Sequence, residues 1–171
     1  MGPIKITITE TGATPKIMKR RLREIIKAAC AQIGYHHLRY NVPKHFTQAG
    51  AREYGYTARK GEGMSVSDKG FWRSYTGQKL RKMHHTKPMV WAGESERRSR
   101  QQDIRATSNG VRIVLHTPHL AMQNPDSAVN MAEEMGTVSG AEAHVIGVVF
   151  RDSIQRSLAA ITGQEVTVIA A

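Results

Sequence analysis

Residues 14–34, TPKIMKRRLREIIKAACAQIG, decide the fold. Thr14 followed by Pro15 reads as a helix start. A hydroxyl at the N-cap accepts from a free backbone N–H, and proline at the first helical position has no N–H to leave unsatisfied. Met18, Leu22, Ile25, Ile26, Ala29 and Ile33 then recur at helical spacing and make one apolar stripe. The spacing predicts a helix to about Ile33, with Gly34 as its stop. Its other side carries Lys16, Lys19, Arg20, Arg23 and Lys27, with Glu24 as the nearby acid. Lys16, Arg20, Arg23 and Lys27 fall at i, i+4, i+7 and i+11, a row about 17 Å long at ~1.5 Å per residue. The row suits either a solvated helix face or contact with phosphates. No base-reading motif accompanies it, so any such contact would be sequence-independent.

Working outward, Ile4-Lys5-Ile6-Thr7-Ile8-Thr9 alternates as a half-buried strand does, and Gly12 ends it. From Tyr35 to Asp68 periodicity fades and Gly50, Gly55, Gly61 and Gly63 punctuate the chain. Lys69 to Met83 reads as a second helix, with Gly77 against it. Pro88 to Gly93 reads as a short buried strand or extended segment, and Arg97, Arg98 and Arg100 follow in a polar stretch. Asp103–Thr107 and Val111–His116 are strands joined through Asn109-Gly110, a strong hairpin signal. Pro118 to Ala128 reads as loop. Ser139 and Glu142 form a capping box that opens a helix to about Thr162, with Val145, Val148, Val149, Ile154, Leu158 and Ile161 on its apolar face. Val166-Thr167-Val168-Ile169 would add a last strand. The order implies a single α+β domain over residues 1–171: a small antiparallel sheet packed with a long N-terminal helix and a C-terminal amphipathic helix. Residues 35–67 would form a long extended arm used in assembly.

The 171 residues carry a formal net charge of +11, distributed unevenly. Residues 1–112 hold 23 Lys/Arg against 8 Asp/Glu, whereas residues 113–171 hold 2 against 6. Such asymmetry suits binding to a polyanion or head-to-tail pairing of identical copies. One cysteine, Cys30, excludes an intrachain disulfide and a cysteine-based zinc site. No apolar run approaches the roughly 20 residues that span a bilayer, and the N-terminus does not read as a signal peptide. A cytoplasmic place of synthesis is therefore expected.

Chemistry-bearing patterns are sparse. The doublets His36-His37 and His84-His85 point their side chains apart, and His116 and His119 flank a strand end, so no metal is expected. No G-x-S-x-G elbow or phosphate-cradling glycine loop occurs, and no catalytic set or cofactor is expected. Residues 45–60, HFTQAGAREYGYTARK, instead space Phe46, Tyr54 and Tyr56 between Arg52, Arg59 and Lys60. Three readings are open for this segment: an ordered loop with buried tyrosines, an aromatic platform for single-stranded nucleic acid, or an arm docking on another subunit. Platforms normally lie on strands, so the docking arm is the favoured one, with His45, Phe46, Arg52, Tyr54, Tyr56 and Arg59 as its contacts.

Three short motifs, in order along most of the chain, carry a resemblance. His45-Phe46-Thr47 with Tyr54-Gly55-Tyr56 and Arg59 resembles the aromatic/basic motif of a family of tailed-phage virion morphogenesis proteins. Lys87-Pro88-Met89-Val90-Trp91-Ala92-Gly93-Glu94-Ser95 is similar to that family's proline, apolar pair and Thr/Ser-Gly segment, departing from it at Ala92. Glu133-Glu134-Met135-Gly136-Thr137 resembles its acidic patch. The resemblance implies a non-enzymatic head–tail joining (neck) or tail-completion protein. Such a protein forms a homo-oligomeric ring between portal or connector and tail, is assembled in the host cytoplasm and resides in the virion. The cations of the first helix would then face DNA in transit.

Overall fold

Helix α1 spans Pro15–His36, three residues beyond its expected end, because Gly34 is not a stop. A Cβ on Gly34 would lie 2.8 Å from Ile104 Cγ2 and 2.9 Å from Val111 Cγ2, closer than such atoms approach. Glycine here lets a β-hairpin lie directly against the helix. The computed structural model describes residues 15–90, 92–99, 102–114, 116–117 and 128–162. The expected strands at Ile4–Thr9 and Val166–Ile169, and most of the Pro118–Ala128 loop, lie outside them.

The α+β class holds, with a long N-terminal helix, a long C-terminal helix and a small antiparallel sheet. Where the sequence reads as one domain, the chain folds as two compact units. The described part of the first comprises residues 15–37, 103–114 and 140–162. Its hairpin pairs β1, Asp103–Thr107, with β2, Gly110–Val114, in the register Ile104↔Ile113, Arg105↔Arg112 and Ala106↔Val111. Side chains alternate across a strand, so Ile104, Ala106, Val111 and Ile113 share the half-buried face while Arg105 and Arg112 are exposed together. Helix α1 packs on this hairpin and on the C-terminal helix, Gly140–Thr162, in which Ile154 and Leu158 meet Ile25 and Ala29. That helix begins and ends where the capping box and its apolar period place it.

The described part of the second unit comprises residues 38–90, 92–99, 102, 116–117 and 128–139. Pro43 explains its first turns. Proline has no N–H for the carbonyl four residues back and its ring crowds that carbonyl, so an α-helix cannot run through it. The backbone widens into a π turn over His37–Asn41 and then tightens into a 3-10 helix over Val42–Phe46. Helix α2, Gln48–Glu53, follows. Residues 35 and 36 end α1, and residues 37–53 are a run of short helical turns and not an extended arm; glycines and a proline had hidden their period.

The expected helix from Lys69 to Met83 is likewise divided. A 3-10 turn, Phe71–Arg73, gives way at Ser74 to α3, Tyr75–Met83. Thr47 and Ser74 solve the same local problem in the same way. The Thr47 hydroxyl accepts from Gly50 N–H (3.0 Å) and donates to the Lys44 carbonyl (2.7 Å). The Ser74 hydroxyl accepts from Gly77 N–H (3.1 Å) and donates to the Phe71 carbonyl (2.5 Å). Each cap thus joins a 3-10 turn to an α-helix, and each helix carries glycine at its third position. The Gly77 that argued against a helix is required by this one: a Cβ there would fall 2.0 Å from the Phe71 carbonyl oxygen.

Pro88 and Met89 form a turn, with Met89 at φ 53°, and not the expected strand. Its apolar residues are nevertheless buried: Met89 and Val90 join Val42, Phe46 and Met135 in the unit's core. The polar stretch after it contains a short helix α4, Glu94–Arg98. Helix α5, Met131–Gly136, is capped by Asn130, whose side chain accepts from Glu133 N–H, and it delivers Met135 inward. With the C-terminal helix as α6, six α-helices lie among the described residues.

The double constraint at Gly77 is testable. Gly77→Ala should lower unfolding stability by about 2–3 kcal/mol, because the methyl collides with backbone and cannot be relieved by a rotamer change. Gly70→Ala, whose Cβ meets only the flexible Met64 side-chain end at 3.4 Å, should stay within about 0.5 kcal/mol of the parent. Urea denaturation midpoints of the two variants decide it.

Candidate functional site

The 45–60 segment folds inward. His45 is fully buried, Phe46 and Tyr54 are buried and Tyr56 is half-buried. Gly55, at φ +64°, turns the backbone between the two tyrosines. The His45 and Tyr54 rings stack with centroids 4.0 Å apart, and Tyr56 lies 5.9 Å from Tyr54. His45 Nδ1 and the Tyr56 hydroxyl share a hydrogen bond. Of the expected arm contacts, only Arg52 is exposed. The first of the three open readings, an ordered loop with buried tyrosines, describes the segment. Sequence pattern could not separate it from the docking arm, since a buried and an exposed tyrosine look alike without periodicity.

Arg59 sits in the wall of this cluster as a structural tie. Its Nη1 donates to Glu134 Oε1 at 2.7 Å and its Nη2 to Oε2 at 2.5 Å, a bidentate pair with side chains only 13% and 9% exposed. The same carboxylate accepts from Thr57 N–H at 3.0 Å. Burial pulls the Arg59 guanidinium down, but its hydrogen bond and charge contact with Glu134 outweigh that, so it is held above its ordinary value. The three motifs behind the family resemblance thereby meet in one place. Phe46 and Tyr56 come from the first, Met89 and Val90 from the second and Met135 from the third; Arg59–Glu134 joins the first to the third.

Beside the pair an open groove of about 660 Å³ is lined by Arg52, Tyr56, Arg59, Met64, Tyr75 and Lys79 among others. Lys79 was not a sequence candidate. It is only 2% exposed, its Nζ donates to the Lys87 carbonyl, and it lies 5.5 Å from the Tyr75 ring centre. Burial, reinforced by the Arg59 charge and opposed by Glu62, lowers its ammonium to about 8. A signal existed: Tyr75, Lys79 and Met83 share one helical row, so a lysine occupies an otherwise apolar position. Burial raises the Tyr75 phenol as well.

In the first unit the five cations expected on one face of α1, Lys16, Lys19, Arg20, Arg23 and Lys27, are all exposed. None forms a salt bridge among the described residues. Cys30 is buried and burial pushes its thiol up, which makes it a poor nucleophile. Among the described residues no three His, Cys, Asp or Glu gather as a metal site, and no helix is long and apolar enough to cross a membrane. No family model, curated protein or solved structure matches the chain.

Removing one partner of a largely buried pair strands the other, so Glu134→Ala should destabilise the fold by about 2–4 kcal/mol, with Glu134→Gln, which keeps an acceptor, costing less. Thermal or urea unfolding reads the difference. Lys79 gives a pH test. Its folded-state ammonium titrates near 8, below the ordinary 10.5, so between these values the unfolded chain holds the extra proton and stability gains from rising pH. Compared with Lys79→Met, which has no proton to lose, the parent should gain stability steadily from about pH 8 to about pH 10.5 and show no relative change below about pH 7.

Proposed function

We propose that this chain is a structural protein of a tailed-phage virion, a neck or tail-completion component whose identical copies form a ring joining portal or connector to tail around a DNA channel. It breaks no bonds of its own. The observation that carries this reading is the α1 row: exposed cations, without salt-bridge partners among the described residues, on one side of a rigid helix. A conduit for DNA needs a sparse, sequence-blind positive lining, since tight phosphate binding would impede passage. Arg105 and Arg112 support it. They face each other across the hairpin on its exposed side, where like charges repel and an anion relieves them.

The motif resemblance supplies the place in the virion, and the packing of those motifs supplies their reason. They build the core of the second unit, and subunit contacts fall to residues outside that core. Met64, Val66, Trp72 and Tyr75 are large apolar side chains at least 40% exposed, together with Arg52. Aromatic anchors of this kind dominate interfaces.

The same exposed cations also favour a second reading, a free-standing protein that binds nucleic acid without sequence preference. Salt separates the two. Engagement of four phosphates by α1 would give a log K against log[salt] slope of about −3.6 on duplex DNA. Tight duplex binding with that slope supports the second reading. The neck reading expects weak duplex binding, with ring formation by native mass spectrometry alone or on addition of the portal protein. Replacing Lys16, Arg20, Arg23 and Lys27 with Gln should leave the ring intact and lower the yield of infective particles about tenfold or more in complementation. A monomer that ignores portal and tail proteins at every concentration overturns the proposal.

A further inference from the structure

Lys79 poses a problem that the assembly reading does not solve. A buried ammonium is stable only when its donors and its charge are answered. Here the Nζ has the Lys87 carbonyl and the flank of Tyr75, both uncharged. No carboxylate forms a salt bridge with it among the described residues. The nearest charges answer it only in part. The Arg59 guanidinium repels it, Glu134 is committed to Arg59 by two hydrogen bonds, and Glu62, whose charge favours the ammonium, accepts from the Arg59 backbone and forms no salt bridge with Lys79.

The groove that Lys79 lines is otherwise suited to an apolar guest. Leu80, Met89 and Phe71 contribute to its lining, and Met64, Val66 and Tyr75 line it while remaining exposed to solvent. Exposed apolar residues clustered around a groove are a surface to be covered. A small acid could reach the ammonium but would leave Val66 and Tyr75 wet. A polypeptide would cover both. The charge balance agrees: with Arg59 answered by Glu134, Arg52 and Lys79 line the groove against the single carboxylate of Glu62.

We infer that this groove is a receptor for an extended segment of a neighbouring protein, in which an Asp or Glu side chain flanked by apolar residues places its carboxylate on Lys79. The incoming carboxylate accepts from the ammonium and supplies a direct counter-charge, while its apolar neighbours cover the exposed lining. The source of the segment rests on the reading of the chain as an assembly component. The anion site itself rests on Lys79.

The test uses the full chain and two capped peptides, acetyl-Val-Leu-Glu-Leu-Val-amide and its Gln counterpart, titrated by NMR. The Glu peptide should bind at least tenfold more tightly than the Gln peptide, with shifts at Met64, Val66 and Tyr75. Lys79→Met should abolish that preference, and its unfolding midpoint verifies that the variant is folded. As a second measurement in the parent chain, the Glu peptide but not the Gln peptide should shift the Lys79 Cε resonance, read by NMR. Equal affinity for the two peptides, no binding at millimolar concentration, or equally tight binding of free 4-methylpentanoate would each overturn the inference. Because ring formation is measured separately, a chain that binds the Glu peptide but forms no ring retains the receptor and loses the neck assignment.

Discussion

The second unit depends on one ion pair. Arg59 and Glu134 are 75 residues apart, and their bidentate contact fastens the turn-rich stretch after α2 to helix α5. Residues 57–70 have few other ties, chiefly the Lys60 carbonyl that accepts from Thr76 N–H and the close approach of Gly61 to Ser74: they form turns, most of their side chains are exposed, and none belongs to the buried core. A net ion pair seldom adds much stability, because desolvation offsets attraction, yet breaking one is costly. The pair therefore acts mainly as a register pin. It selects one arrangement of an irregular segment among the many that glycine-rich chain permits.

Around that pin the order is local. Pro43 forbids a continuous helix, so the chain proceeds in short turns, each needing its own satisfied ends. Thr47 and Ser74 meet that need by one hydroxyl doing two tasks, accepting from the new helix and donating to the old turn. Gly50 and Gly77 are the counterpart of this economy, since each lies where a methyl would strike the carbonyl to which the hydroxyl donates. Short helices of this kind have little intrinsic stability. Their persistence comes from the side chains they bury, Phe46, Ala51 and Phe71 among them.

What was legible in the sequence follows from this contrast. The long helices and the hairpin were readable because each writes its burial as a period: α1 through Met18 to Ile33, α6 from the Ser139–Glu142 box to Thr162, and the strands through alternation about Asn109-Gly110. Those signals are averages over many residues and survive local exceptions such as Gly34. The second unit has no comparable average. Its α-helices among the described residues are five to nine residues long, too short to display a face, and its buried residues converge from distant stretches. The exposed cations of α1 could be placed from spacing alone. The burial of Phe46 could not, because it depends on Met89, Val90 and Met135, which lie in distant stretches of the chain.

That difference bears on how aromatic and cationic residues are to be weighed. A stretch rich in tyrosine and arginine suggests an interface on composition, since both residue types are enriched at interface centres. The same chemistry also serves a small core, where a tyrosine fills space and still satisfies its hydroxyl, as Tyr56 does with His45. Arginine likewise ties a loop when a carboxylate is within reach, as Glu134 is for Arg59. The discriminating quantity is whether the polar end has found a partner within its own unit. By that criterion Tyr56 and Arg59 are answered internally, whereas the Lys79 ammonium is enclosed without a salt-bridge partner among the described residues. Enclosure without a direct counter-charge is the costly combination, and it is Lys79, more than the aromatic stretch, whose polar end is left incompletely answered within its own unit.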